Sequence, residues 1–235
     1  MPKLIFLDVE TTGLQAVDRI CEIALISLDD EKVYVTSSLC KSSKKVDTAA
    51  MSVHHITNEM LKDASSCIQS SAYTYLQDNN TDENILIGHN INFEIKMLEK
   101  EEFISQFQII DTLKCVKSLI PECEIFQLQY LRYELLLYKD EKSMAEALDI
   151  KLNAHRALSD ALHTRLLYEV LLQYATLSQL IEISAAPVLM QKFLFGKYSG
   201  RYIEEVIDMD PSYIQWVLNL EDIDEDLAYS INYYL

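Results

Sequence analysis

The chain has 235 residues and a net charge of −17, from 20 basic against 37 acidic side chains. That length suits one domain with a full core, or one domain plus a small appended module. No apolar run approaches the ~20 residues that span a bilayer, and residues 1–10 have neither a basic start nor a small-residue cleavage site, so the chain reads as soluble, cytoplasmic and without a membrane role.

Residues 4–7, 20–28 and 33–39 are apolar, β-rich runs parted by short turn-like stretches. Links that short predict an antiparallel meander. Two later strands, 85–87 and 107–110, alternate with helical segments, so the sheet turns mixed as helices cover it. Helical spacing covers 90–102, 113–119, 127–137 and, most clearly, 157–173. A further helix over 177–184 runs into Ala185-Ala186-Pro187, the candidate linker. The class is α/β, with a central mixed sheet flanked by helices in three layers. Past the linker, residues 193–203 suggest a hairpin, a helix starts at Glu204, and Asp210 caps another with Pro211 at its first position. This divides the chain into a domain of residues 1–186 and a small module of 187–235.

The five cysteines, Cys21, Cys40, Cys67, Cys115 and Cys123, are scattered without zinc-type spacing and read as reduced thiols. The acidic balance argues against a broad phosphate-binding face. Two facts soften that: carboxylates around divalent cations are neutralised by them, and five acids fall in one short tail, 221–226. Binding to nucleic acid should be weak, salt-sensitive and poorly processive.

Three acidic segments carry the chemistry. In Phe6-Leu7-Asp8-Val9-Glu10-Thr11-Thr12-Gly13-Leu14, strand alternation projects Asp8 and Glu10 together. Two adjacent carboxylates repel unless a cation or a proton intervenes, although an isolated D-x-E is more often a strand end entering solvent. In Gly88-His89-Asn90-Ile91-Asn92-Phe93-Glu94, Asn90 reads as an N-cap and Glu94 as a first-turn acid suited to the helix dipole. In His155-Arg156-Ala157-Leu158-Ser159-Asp160, Asp160 shares a helix face with Thr164, Leu167 and Leu171, and an acid on an apolar stripe needs a partner. Taken together the three suit a pair of divalent ions, and oxygen-only donors favour Mg²⁺ or Mn²⁺ over zinc.

The segments FLDVETTGL, GHNINFE and HRALSD, in this order, resemble the three motifs of the DEDDh, or DnaQ-like, 3′–5′ exonucleases. The resemblance spans about residues 3–175. It implies a ribonuclease H-like fold and hydrolysis of terminal phosphodiesters to nucleoside 5′-monophosphates with two Mg²⁺ ions, Mn²⁺ substituting. Carried over, Asp8 bridges both ions, Glu10 and Asp160 complete the first site, and Glu94 serves the second through water. His155 is the general base, since a neutral imidazole accepts a proton near neutral pH. Thr11, Thr12 and Leu14 are implied to line the terminal sugar and base, with Asn90 beside them and Phe93 as a stacking surface. His54, in Val53-His54-His55-Ile56-Thr57, belongs to a segment implied to pack near that nucleotide, with a plain surface loop as the equal alternative. One departure stands out: the family normally has aspartate where this chain has Glu94. A shift of ~1 Å in a catalytic group can cost ~10²-fold in rate, so either the site has adapted or activity is impaired.

Residues 193–203 and the Asp210-Pro211 helix start are similar to the small C-terminal module of exonuclease X-like enzymes. Lys192, Lys197 and Arg201 lie there among Phe193, Phe195, Tyr198 and Tyr202, the composition of a single-strand contact, of a protein-binding module, or of a small aromatic core. The implied substrate is single-stranded DNA or a frayed 3′ end, in repair or turnover. RNA 3′-end trimming, and a catalytically impaired module held by a repair or polymerase partner, are the alternatives.

Overall fold

The computed structural model describes residues 2–220 and 223–235; Glu221 and Asp222 of the acidic stretch lie outside the described residues. An antiparallel meander of β1 (Leu4–Thr11), β2 (Ile20–Asp29) and β3 (Lys32–Leu39) opens the chain. Next, β4 (Ile85–Gly88) pairs parallel to β1, and β5 (Gln108–Asp111) pairs parallel to β4. The sheet order is β3-β2-β1-β4-β5, mixed as the sequence predicts.

Because β1 is central, both its faces are covered. Ile5, Leu7 and Val9 enter one core cluster, beneath α2 (Ser71–Asp78) and α3 (Asn92–Glu99). Phe6 enters the other, formed with α4 (Thr112–Leu119), α5 (Leu128–Glu134), α6 (Glu141–Ala147), α7 (Ala157–Leu171) and α8 (Leu177–Ala185). A short α1 (Thr48–His54) lies over the β1–β2 turn. Alternation therefore aims Asp8 and Glu10 toward the α7 layer. Phe6 meets Tyr168 of α7 edge-to-face at 5.4 Å, and Asp160 lies about two helical turns before that contact.

Several boundaries differ from the sequence reading, each for a local reason. Asn90 does not cap α3: it adopts the left-handed region at φ 68°, and the helix starts two residues later. The helix over 127–137 stops at Glu134, because Leu136 turns left-handed at φ 60° before a 3₁₀ turn over Leu137–Lys139. Helices α1, α2 and α6 were not foreseen; each is only seven or eight residues long, too short for a clear period.

The C-terminal segment has its own core, in which Phe193, Ile203, Val206, Ile214, Val217, Leu227 and Ile231 pack together. Its hairpin shrinks to a single bridge, Lys192 with Tyr202, because a turn through Gly196 and Gly200 at φ 76° and 82° replaces the strands. After it come α9 (Ile203–Met209), α10 (Pro211–Leu218) and α11 (Glu225–Tyr234). Asp210 caps α10 as its sequence suggests, accepting from Tyr213 N–H at 3.1 Å. The described acids of the acidic tail start a helix: Asp224 caps α11, and the buried Asp226 accepts from Val188 N–H at 2.9 Å and pairs with Lys117 at 3.3 Å. Lys197 is tied to Asp210 at 2.9 Å, and Lys192 lies over the Tyr202 ring at 4.8 Å, so two of the three cations already have internal partners. No helix among the described residues is long and apolar enough to cross a membrane.

Candidate active site

Asp8 and Glu10 of β1 and Asp160 of α7 each present a carboxylate oxygen within 4.8 Å of the others. The sheet supplies the first two and the first turn of α7 the third. Burial, with Asp160 next to it and Glu94 and Glu10 beyond, raises the Asp8 carboxyl well above its ordinary range. Burial and the same Asp160 charge push Glu10 up to about 8. Three carboxylates this close, with too few donors to balance them, retain their charge only around a cation. That electrostatic need is what makes the residues fit a divalent metal.

Glu94, in the first turn of α3, stands outside this trio. It is 5% exposed, and its Oε2 is buried without a hydrogen-bond partner. Burial pushes its carboxyl up to about 8, with Asp111 and Glu10 adding to the effect. An orphaned buried carboxylate oxygen facing other acids is a further mark of an ion site.

His155 is exposed, in the turn that precedes α7, with a left-handed φ of 51°. It borders a cavity of about 280 Å³ whose walls include Asp8, Asp160, His89 and Gln129. The turn is pinned from beneath. Arg156 reaches the buried Glu22 of β2, whose Oε2 also accepts from the first amide of α7, Ala157 N–H, at 3.1 Å. Glu22 lies opposite Glu10 in the β1–β2 register, so the guanidinium also draws the Glu10 carboxyl down, against the burial that raises it.

The loop after Glu10 is held by its own side chains. Thr12 Oγ1 donates to Asp18 at 2.7 Å, and Thr11 Oγ1 donates to the Gly13 carbonyl at 2.8 Å. Lys44 closes the cluster by bonding Asp18. Gly13 is required here, since a Cβ would come within 2.7 Å of Asp18 Oδ2 and 2.8 Å of Asp47 Oδ2. Both threonines are buried and committed, which leaves Leu14, 88% exposed, and Val17, 63% exposed, as the large open apolar side chains of the loop.

His54 is no surface-loop residue: it is 2% exposed at the end of α1. Ile56 N–H donates to its Nδ1 at 3.0 Å, so the proton sits on Nε2, which donates to the Thr11 carbonyl at 3.1 Å. Burial keeps this ring neutral by lowering its pKa. His54 therefore supports the loop backbone from below.

Asn90 is exposed, and its N–H donates to the buried Asp111 at 3.0 Å, the same carboxylate that caps α4. Phe93 is half-buried against the core beneath α3. His89 Nε2 donates to the Phe126 carbonyl at 2.8 Å, tying the second motif to the segment that leads into α5.

That segment brings in residues the sequence reading missed. Gln129 Nε2 donates to Asp160 Oδ1 at 2.5 Å, and Gln129 Oε1 lies 3.4 Å from an Arg132 N–H nitrogen. Arg132 grips Glu141 at two points, 2.5 and 2.6 Å. His163 lies between, Nε2 3.3 Å from Glu141 and Nδ1 3.4 Å from Asp160 Oδ1. A histidine three residues after Asp160 on the same helix was the one local signal of this cluster.

A family model described as Exonuclease matches residues 5–168, and one described as Exodeoxyribonuclease X-like C-terminal matches residues 193–222. Exodeoxyribonuclease 10 of Escherichia coli (strain K12) is 28% identical over 234 residues, covering 97% of each chain. The DNA polymerase III subunit epsilon of Buchnera aphidicola subsp. Acyrthosiphon pisum (strain APS) is 31% identical over 142 residues, 51% of this chain and 56% of that one. Among solved structures, exonuclease X in complex with 5′ overhanging duplex DNA superposes with a TM-score of 0.56 at 23% identity, covering 78% of this chain and 99% of that one. E. coli exonuclease I in complex with a dA16 oligonucleotide gives 0.55 at 19% identity, over 77% and 42%. These likenesses share the fold in which β1 and α7 converge on the acidic trio, and by the match over residues 5–168 the chain belongs to the exonuclease family.

Proposed function

We propose that this chain is a metal-dependent 3′–5′ exodeoxyribonuclease that releases nucleoside 5′-monophosphates from single-stranded or frayed 3′ ends. The observation that carries it is the trio Asp8, Glu10 and Asp160 within 4.8 Å of one another, two of which, Asp8 and Asp160, line a cavity that His155 also borders. Near full-length similarity to a protein named exodeoxyribonuclease 10 supports DNA as the substrate. Similarity to a polymerase III epsilon subunit supports a role beside repair or replication proteins.

Asp8, Glu10 and Asp160 would hold one Mg²⁺ or Mn²⁺ ion, and Glu94 would serve a second. Divalent ions bound there would supply charge neutralisation at the scissile phosphate and a lowered pKa for the attacking water. The chain's own residues do the rest. His155, exposed at the cavity rim, takes the water's proton as the new O–P bond forms and the bond to the departing 3′-oxygen breaks. Arg156 and Glu22 keep the His155 turn in place. Leu14 and Phe93 offer apolar surface to the terminal nucleotide, and the His54-supported backbone of Thr11 and Thr12 shapes its floor. We further propose residues 1–186 as the catalytic domain and 187–235 as a separate module.

The test measures mononucleotide release from 3′- and 5′-labelled DNA and from a matched RNA, with Mg²⁺, Mn²⁺ or EDTA. Metal-dependent release from the DNA 3′ end, reduced about 10²–10⁴-fold by His155→Ala, is the expected result. Preferential loss of RNA would overturn the DNA assignment. Binding of the oligonucleotide without shortening in either metal would overturn catalysis.

A further inference from the structure

We propose that Gln129 is a positioning residue for metal binding, setting which oxygen of Asp160 faces the ion, and that Arg132, Glu141 and His163 form the frame that sets Gln129. The inference rests on the metal-site reading above.

The orientation of the Gln129 amide is fixed by its neighbours. An arginine N–H can only donate, so the side that faces Arg132 is the amide oxygen, 3.4 Å away. The amide nitrogen must then face Asp160, and it donates to Oδ1 at 2.5 Å. His163 Nδ1 stands 3.4 Å from that same Oδ1. Both neighbours address one oxygen, which leaves Oδ2 as the one available to an ion.

The frame is stiff. The Arg132–Glu141 pair is two-pointed at 2.5 and 2.6 Å, with side chains only 19% and 12% exposed, and His163 is 3% exposed. It brings α5, α6 and α7 together, with His163 Nε2 3.3 Å from Glu141 but not hydrogen-bonded to it, so Asp160 is oriented directly from α5 and from its own helix. Gln129 also borders the cavity itself, which places the positioning contact at the site wall. Residues that orient a metal-binding carboxylate typically change metal affinity or activity about 10–100-fold when removed.

The experiment titrates Mn²⁺ into the full-length protein without DNA, by calorimetry and by loss of the free-ion paramagnetic resonance signal. Asp160→Asn is the reference for the site, and Gln129→Met and Gln129→Ala are the variants. Gln129 is only half-buried in the first turn of α5, so both variants should melt within a few degrees of the unaltered protein. The expected result is Mn²⁺ affinity lowered about 10–100-fold by either change, at unchanged stoichiometry and melting temperature. Arg132→Lys keeps the charge but loses the fork, and should weaken Mn²⁺ binding in the same direction by less.

Mn²⁺ bound equally tightly by the unaltered protein and both Gln129 variants, while Asp160→Asn loses it, would overturn the positioning role and leave the metal site standing. Equal Mn²⁺ binding with and without the Asp160 carboxylate, or none at all, would overturn the metal-site reading and this inference with it. If the Gln129 variants fold poorly, the Arg132→Lys titration decides, and unchanged affinity there counts against the frame.

Discussion

Arg156 and Glu22 form a two-point ion pair where β2 meets α7, with Nε 2.8 Å from Oε2 and Nη2 2.5 Å from Oε1. Glu22 is 2% exposed, so removing the guanidinium leaves a buried carboxylate with only one backbone donor and the Ser37 hydroxyl at 3.2 Å. Breaking such a pair costs about 3 kcal/mol even with part of the arginine reaching solvent. We predict that Arg156→Ala lowers the melting temperature and also lowers kcat, because the His155 turn loses its anchor. Glu22→Gln, which keeps an acceptor for Ala157 N–H, should cost less stability. Thermal melts and single-turnover rates on the two variants check this, and an Arg156→Ala protein with normal rate would show that the turn holds itself.

The acidic site makes stability depend on pH with a definite sign. Without metal, burial pushes Glu10 and Glu94 each up to about 8, and raises Asp8 well above its ordinary range. The unfolded chain releases these protons near its ordinary carboxyl pKa of ~4. The folded state thus binds more protons between those limits, and stability falls as pH rises through them. We predict that melting in EDTA declines from about pH 5 to about pH 8, and that Glu10→Gln/Glu94→Gln flattens that decline. The difference between the two proteins removes the general repulsion of a chain of net charge −17. Mn²⁺ should raise the melting temperature more above pH 8 than at pH 6, since below it the ion competes with protons. Calorimetry in buffers of different ionisation enthalpy should record proton release on binding. Identical pH curves for the two proteins would sink the account.

The fold was legible where the physics is local. Alternation in β1 shows Asp8 and Glu10 side by side, and the short links of the meander predict the antiparallel half of the sheet. The start of α7 shows Asp160 at the head of an apolar helix. What stayed hidden depends on distant partners. Nothing near Gln129 in sequence points to Asp160, 31 residues away, and Glu22 and Arg156 are 134 apart. His54 was readable only as a motif neighbour, because its work is a contact with Thr11 across 43 residues. Asn90 misled by composition: asparagine suits an N-cap and also the left-handed region, and only the Asp111 carboxylate under its amide decides between them.

Glu94 tests whether the longer acid is an adaptation. Its Oε2 is buried and unpartnered, and α3 is locked in place by the buried side chains of Ile91, Met97 and Leu98. A shorter arm at a fixed backbone would withdraw the carboxylate by about one bond, and ~1 Å of misplacement costs ~10²-fold. We predict that Glu94→Asp lowers kcat by about 10–10²-fold and that Glu94→Gln lowers it further, with DNA binding retained by both. A faster Glu94→Asp enzyme would show instead that the glutamate impairs this site.

Leu14 stands out from the scaffold of its loop, so its contribution to binding is separable from folding. The loop around it is fixed by Thr12, Asp18 and Lys44 bonding to one another, and the Leu14 side chain is 88% exposed. An exposed leucine on a rigid, buried scaffold contributes nothing to folding, so Leu14→Ala should leave the melting temperature unchanged. If the terminal nucleotide covers it, the loss of a leucine's worth of burial, roughly 1.5–3 kcal/mol when complete, should raise KM about tenfold. The rate at saturating DNA should hold, since Leu14 is absent from the acidic trio and from the walls of its cavity. Gly13→Ala, by contrast, places a Cβ 2.7 Å from Asp18 Oδ2 and should lower both stability and rate by disturbing the scaffold itself. A Leu14→Ala enzyme with unaltered KM would remove the loop tip from the substrate path while leaving the carboxylate site untouched.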